Sequence, residues 1–391
     1  MVKCSIGENM KLRSNLAKLD KLLLTTSLLL FFFGLVMIFS SSTVAAVLAY
    51  HQPSYFFVLK QGLLEMGMLL VSVLIIINLP TKTYSRFKSI FPVLMVGLLV
   101  MVKLFGKDVN GAKSWIDLGV FNFQSSEFVK SLLIVYLAIM YGDTKKWKDQ
   151  KSLVMPLIIP FICFILIASE PDLGTAIIFA GIIFMIFMSL PIKKDKIIKL
   201  MFIVGIAGIG LIGILFATDN IHKILTPTQQ QRFNFIKPCS RYLEETGYQV
   251  CNSYIAMNNG GLYGLGLGNS KQKNLYLPES YTDFIFPIIV EEFGLIGTGI
   301  LFFVYILLLF SILTIARHAS NLRNSIIAYG TFSYILVHLI INLAGVTGLF
   351  IMTGVPLPFM SYGGSFIINL FVLIALTQRV AIENKEARKK A

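Results

Sequence analysis

Apolar runs too long for the core of a soluble domain recur from one end of this chain to the other. The first, residues 22–42, reads "LLLTTSLLLFFFGLVMIFSSS" and carries no charge. A helix needs about 20 such residues to cross a hydrocarbon core about 30 Å thick, and there only helices and closed barrels satisfy their own backbone groups. The runs predict spans at 22–42, 57–78, 89–105, 125–142, 153–169, 172–191, 199–217, 284–314, 325–346 and 364–380. Composition agrees: charged residues are 14% of the chain, where a soluble domain has about a quarter. The expected fold is an all-α polytopic membrane protein of about ten transmembrane helices over 22–380, between basic tails at 1–21 and 381–391. Small residues at 44–49 imitate a signal-cleavage site, but the first run exceeds a signal's apolar region and nine more follow, so it reads as a retained span.

The formal charge of +14 is a topology signal before it is anything else. With both ends cytoplasmic, 23 of the 34 Lys and Arg gather on the inner side when Lys199 and Arg379 at the inner ends of their spans are counted, including "TKKWKDQK" and "PIKKDKIIK", as the positive-inside rule requires. These basic runs are therefore read without a nucleic-acid partner. No His/Cys spacing resembles a metal site. The four histidines, His51, His222, His318 and His338, are scattered and read as packing or helix-end residues. Cys239 and Cys251 share one external loop, where an oxidising exterior permits a disulfide but spacing alone does not decide it.

That orientation places three polar segments outside: 106–124, 347–363 and the long 218–283 between helices seven and eight. The long loop exceeds an ordinary connection, and its amphipathic, glycine-rich wording argues for a folded wall rather than a disordered tail. Its "GGLYGLGLGNSKQK" either packs as glycine turns or offers amides and lysines to an anion; it lacks a Walker pattern. Just after it, "LPESYTDFIF" puts Glu279 and Asp283 before an apolar run. Ser280 and Asp283 have capping-box spacing. Yet Glu291 and Glu292 follow, one to two turns into the expected span, where ionised groups are costly and line cavities. Glu127 and Lys130 lie three apart, so they face one side of a helix and can pair. Glu170 and Asp172, flanking Pro171, are accounted for by turn and cap chemistry, and "VPLPFMSYGGS" reads as a rigid turn feeding the last span.

Taken in order, "NGAKSWIDLG", "SSEFVK", "EPDLGTA", "QRFNFIKP", "GYQVCNSYIAMNNGGLYGLGLGNSKQK", "YLPESYTDFIFPIIVEEFGLIG" and "LPFMSYGGS" resemble the SEDS family (shape, elongation, division and sporulation) of bacterial cell-wall polymerases, across about 22–380. "GLGNSKQK" followed by "YLPE" is more similar to the division branch, of the Gram-positive kind, than to the elongation branch. The resemblance implies a peptidoglycan glycosyltransferase that polymerises lipid II into glycan strands at the outer face of the cytoplasmic membrane, at the division septum. It implies a class B penicillin-binding protein and other divisome membrane proteins as partners. The family's catalytic acid maps onto Asp283, expected to take the proton of the attacking sugar hydroxyl. Lys113, Lys130, Arg232, Lys271 and Lys273 are the candidates for holding the pyrophosphate leaving group, with Glu127 orienting Lys130 and Glu279 a further substrate contact. Relatives often carry Arg where this chain has Ser114, and Pro where it has Ser125, which weakens the assignment of Lys113. No cofactor is called for by any motif, although a divalent cation (Mg or Mn) could bridge pyrophosphate and an acid. The competing expectations are a lipid II flippase, whose polar groups would run through the midplane, an elongation-type polymerase, and a division scaffold in which Asp283 is only a cap.

Overall fold

The structure is a computed structural model that describes residues 13–109, 112–117, 122–143, 153–170, 172–192 and 237–390. Ten helices of more than one short turn are present among them: α1 (Lys21–Leu48), α2 (Phe56–Leu74), α3 (Ile90–Phe105), α4 (Ser125–Tyr141), α5 (Ile158–Ala168), α6 (Leu173–Ser189), α7 (Glu245–Gly260), α8 (Ile285–Arg317), α9 (Leu322–Val346) and α10 (Gly364–Arg388). Every expected span except the seventh coincides with one of them; 199–217 and the start of the long loop lie outside the described residues. Among the described residues five helices are long and apolar enough to cross a membrane, or six when α3 is joined to the short helix Thr81–Phe87 that leads into it at 72°. Helices α4, α5 and α6 have 17, 11 and 17 residues, short of the roughly 20 a perpendicular crossing needs.

α10 is the axis of the bundle, almost wholly buried along its apolar length. By contrast α1, α2 and α8 turn Leu29, Phe32, Leu63, Ile300 and Phe303 outward, the surface a helix in lipid presents. Helix starts are fixed by side chains where the sequence offers them. Asp20 accepts the amide of Leu23 at the head of α1, Asp172 that of Thr175 at the head of α6, and Asn321 that of Asn324 at the head of α9, each closing a donor the helix leaves open.

Three features depart from the expected plan. Segment 106–124 contains a small antiparallel sheet of β1 (Lys107–Val109), β2 (Ala112–Asp117) and β3 (Asn122–Gln124), with Trp115 opposite both Lys107 and Gln124. α8 is broken at Gly294, whose φ of 66° no helix contains, so Glu291 and Glu292 precede the crossing portion instead of lying inside it. The stretch from Leu295 to Arg317 is about 34 Å long and spans by itself. Finally, the segment expected to lie outside at 347–363 folds inward. A Cβ at Gly34 would collide with the Phe359 carbonyl oxygen, and the Tyr305 hydroxyl donates to the Pro358 carbonyl. Gly34 is about 20 Å from either end of α1, so this non-helical stretch reaches half-way down the bundle, buried in protein as irregular backbone at that depth must be.

The two chain ends meet on one face. Lys18 pairs with Glu386 at 2.8 Å, Asp20 N donates to the Gln378 side chain at 2.9 Å, and Lys385 donates to the Leu19 carbonyl at 2.9 Å. Beside them Glu383 accepts from Thr81 N, Thr81 Oγ1, Asn324 Nδ2 and Arg379 Nε. Burial alone would push this carboxyl up, and the four donors hold it below its usual range. The sheet, α7 and the segment leading to Asp283 gather at the other face.

Candidate active site

The glycine-rich stretch is explained by α8. Where Gly294 interrupts the helix, the loop replaces its ladder: Leu295 N and Ile296 N donate to the carbonyls of Gly261 and Leu262, and Leu265 N and Gly266 N donate to those of Glu291 and Glu292. A Cβ at Gly260, Gly264 or Gly294 would strike the opposite backbone, so glycine is required for this approach. Of the two readings left open by the sequence, turn packing is the one this geometry supplies. The acids seal the joint. Glu291 accepts from Asn259 at 2.9 Å, from Gln272 N at 3.1 Å and from the Ser270 hydroxyl. Buried Glu292 pairs with Lys273 at 3.0 Å, and both bond Ser40 on α1. Cys239 and Cys251 are joined, tying the turn Pro238–Arg241 to α7.

From that joint the chain turns toward Asp283. Glu279, exposed and at a left-handed φ of 54°, takes the amides of Thr282 and Phe284 on its carbonyl and the Thr282 hydroxyl on its carboxylate at 2.6 Å. Lys271 is exposed beside the buried Lys273. No capping box forms: the Ser280 hydroxyl points to the Ser41 carbonyl, and α8 has Phe284 at its N-cap, with no side-chain cap. The Asp283 carboxylate instead receives the Thr282 hydroxyl at 3.0 Å and lines a half-open niche with Asn342, Gly345 and Val346 at the end of α9 and Met352–Val355 of the inward segment.

Below this niche α9 carries a polar ladder, Tyr334, His338 and Asn342, at the i, i+4 spacing that stacks side chains on one face. The Asn342 amide donates to the carbonyls of Asp283 at 2.8 Å and Val355 at 2.7 Å, fixing one wall of the niche to the other. One turn away, Lys130 lies 2.7 Å from Glu127 and 3.0 Å from His338 Nε2, while Tyr334 OH donates to Glu127 at 3.0 Å. His338 Nδ1 is 2.7 Å from the Tyr334 carbonyl, which can only accept. Nδ1 therefore carries the hydrogen and Nε2 accepts from the lysine, which sets a neutral imidazole. His338 is thus no scattered packing residue but the third member of a fully buried charge cluster.

α9 links Asp283, held through Asn342 near its end, to Glu127 and Lys130, held at Tyr334 and His338 in its middle, while Glu279 bonds Thr282 beside Asp283 and Lys273 sits in the α8 joint. Lys113 lies on β2, and Arg232 falls outside the described residues. Sequence reading missed Asn342, whose signal was the spacing of polar residues in an apolar helix, and put Glu170 down to turn chemistry. Asp172 caps α6 as expected, but Glu170 is buried, with both carboxylate oxygens unpartnered. Its burial pushes the carboxyl up to about 7, with Ser114 beside it pulling the other way. Among the described residues no three His, Cys, Asp or Glu converge to hold a metal ion.

Comparison with known proteins agrees with this frame. Residues 20–386 match the FtsW, RodA and SpoVE model, described as a cell cycle protein. The chain is 35% identical over 350 residues to the probable peptidoglycan glycosyltransferase FtsW of Bacillus subtilis, covering 88% of this chain and 86% of that one. It is also 35% identical to the stage V sporulation protein E of the same organism, over 85% of this chain and 89% of the relative. In fold it is similar to a chain from a study of how a peptidoglycan synthase complex coordinates polymerization and crosslinking, with a TM-score of 0.73 at 20% identity over 94% of this chain and 98% of that one. The rod shape determining protein RodA of Thermus thermophilus superposes with a TM-score of 0.62 at 21% identity, over 94% and 97% of the two chains. The chain belongs to the FtsW, RodA and SpoVE family of cell cycle proteins, the SEDS family its motifs resemble.

Proposed function

We propose that this protein is a division-type peptidoglycan glycosyltransferase that polymerises lipid II, with Asp283 as general base. The observation that carries the reading is the placement of the Asp283 carboxylate in a niche at the end of α9, with its backbone held by Asn342. The 4-hydroxyl of the acceptor sugar gives its proton to Asp283 as its oxygen bonds the anomeric carbon of the donor. The bond from that carbon to undecaprenyl pyrophosphate breaks, and the electron pair leaves on the phosphate. A base so placed contributes on the order of 10²–10⁴-fold. Because Lys130 and Lys273 already have carboxylate partners within 3.0 Å, we assign them to the frame and the leaving group to Lys113, Arg232 and Lys271, with Glu279 at the rim. A divalent cation, Mg or Mn, would enter with the pyrophosphate and share a single acid.

The face that joins the chain ends is the cytoplasmic one in this reading. The disulfide and Asp283 then lie outside, where lipid II presents its sugars. A class B penicillin-binding protein and other divisome proteins are the partners, and the septum the site of work. The test is incubation of the purified protein and its cognate transpeptidase with lipid II, resolving products on a gel. Glycan chains longer than the starting disaccharide are expected. Movement of lipid II across vesicles without polymer would replace this reading by the flippase, and inactivity in both assays by the scaffold.

A further inference from the structure

Asn342 is 3% exposed, and its amide hydrogens face two carbonyls, those of Asp283 and Val355. Neither carbonyl can donate, so the amide cannot be flipped. Its Oδ1 is thereby turned from both, buried and without a hydrogen-bond partner. A buried acceptor left unmatched is costly, and such atoms in a folded protein call for an explanation. Here the side chain lines the same niche as Asp283.

The niche also says what kind of group would satisfy it. It has room for about one water-sized group, far less than a whole-ligand pocket, and so admits a single hydroxyl of a sugar. Among the described residues of its lining Asp283 is the charged one, and the other polar side chains are Asn342 and Thr353. The unmatched Asn342 carbonyl can only accept, so it takes a hydroxyl donor and offers nothing to a pyrophosphate oxygen. We infer that this niche is the acceptor-sugar subsite, and that Asn342 Oδ1 takes a hydrogen bond from a hydroxyl flanking the attacking one, so that Asn342 orients the nucleophile toward Asp283. The inference rests on the glycosyl-transfer reading above. It adds to that reading the residue that selects the acceptor.

The experiment isolates the acceptor. A labelled 4-deoxy lipid II, which can only donate, is mixed with natural lipid II or with lipid II lacking the 3- or the 6-hydroxyl of its terminal N-acetylglucosamine, and the labelled tetrasaccharide is counted. Wild type should use one of the two deoxy acceptors at least about tenfold less efficiently in kcat/KM than the natural one. Asn342→Leu should be slower with the natural acceptor and bring that ratio close to one. Equal use of all three acceptors by wild type overturns the inference without recourse to any variant, and so does an Asn342→Leu protein that keeps the full ratio, since a merely structural Asn342 slows every acceptor alike. The base assignment fails separately: Asp283→Asn at full rate, with the acceptor ratio intact, removes the role of Asp283 and leaves that of Asn342 standing.

Discussion

Single residues here are decided by whether a buried polar atom has a partner. Lys130 and Glu127 are 0% and 3% exposed in their side chains, and removing one member of such a pair leaves an uncompensated charge. Lys130→Met should destabilise the protein by about 3–5 kcal/mol, and Glu127→Gln combined with it should recover much of that loss; unfolding in detergent of the two single variants and the double variant checks this. Glu170 answers to pH. Its carboxyl titrates near 7 in the fold against about 4.5 when exposed, so the native state holds its proton more tightly. Stability from this group is complete below about pH 4.5 and declines as pH rises toward 7. Glu170→Gln should gain on wild type across that window, by up to about 3 kcal/mol at pH 8, and melting curves that stay parallel from pH 5 to pH 8 would contradict it. Asp283 could be singled out because the family wording maps onto it without gaps. The pairing of Lys273 was not legible because its carboxylate lies 19 residues away on a segment that had to fold back first. Asn342 was missed for a related reason: its i, i+4 spacing from His338 and Tyr334 was there to read, but its two carbonyl partners arrive from other segments.

Elements were legible as far as hydropathy reaches. It located helices α1 to α6 and α8 to α10 to within several residues at most ends, since burial in lipid needs only length and apolarity. It could not see the break in α8, because Gly294 changes a dihedral angle and not the hydropathy, nor the inward course of 347–363, which depends on the absence of a side chain at Gly34. Gly294→Ala would force a left-handed residue and drive a methyl group into the backbone of Leu262 and Gly264. We expect loss of at least about 2 kcal/mol of stability, beyond the roughly 1 kcal/mol of the dihedral penalty alone. Gly67→Ala and Gly97→Ala, where a Cβ would meet nothing within 4 Å, should fold as wild type, and melting temperatures of the three variants compared side by side decide it. The bond between Cys239 and Cys251 closes a loop spanning 12 positions. Double replacement by serine should cost about 2–4 kcal/mol, measured by the same unfolding assay, while an unchanged midpoint would show the crosslink to be idle.

For the whole molecule, a polar clamp joins the chain ends at one face, and a folded cap of sheet, α7 and glycine loop covers the other, with α9 and its polar ladder leading up to Asp283. Charge counting along the sequence gives the same pairing of ends, because the positive-inside rule acts on loops and needs no tertiary detail. A membrane-impermeant thiol reagent should therefore label a cysteine introduced at exposed Tyr263 in intact cells and spare one introduced at Lys390 until the membrane is opened; the reverse pattern would invert the topology. The account as a whole turns on the carboxylate at the head of α8. Its most direct test is the rate of glycan polymerisation from purified lipid II by wild type and by Asp283→Asn, each with its transpeptidase partner and each shown to fold and bind that partner normally. A loss of at least about a hundredfold is the predicted result, and equal polymerisation by the two proteins would contradict the account.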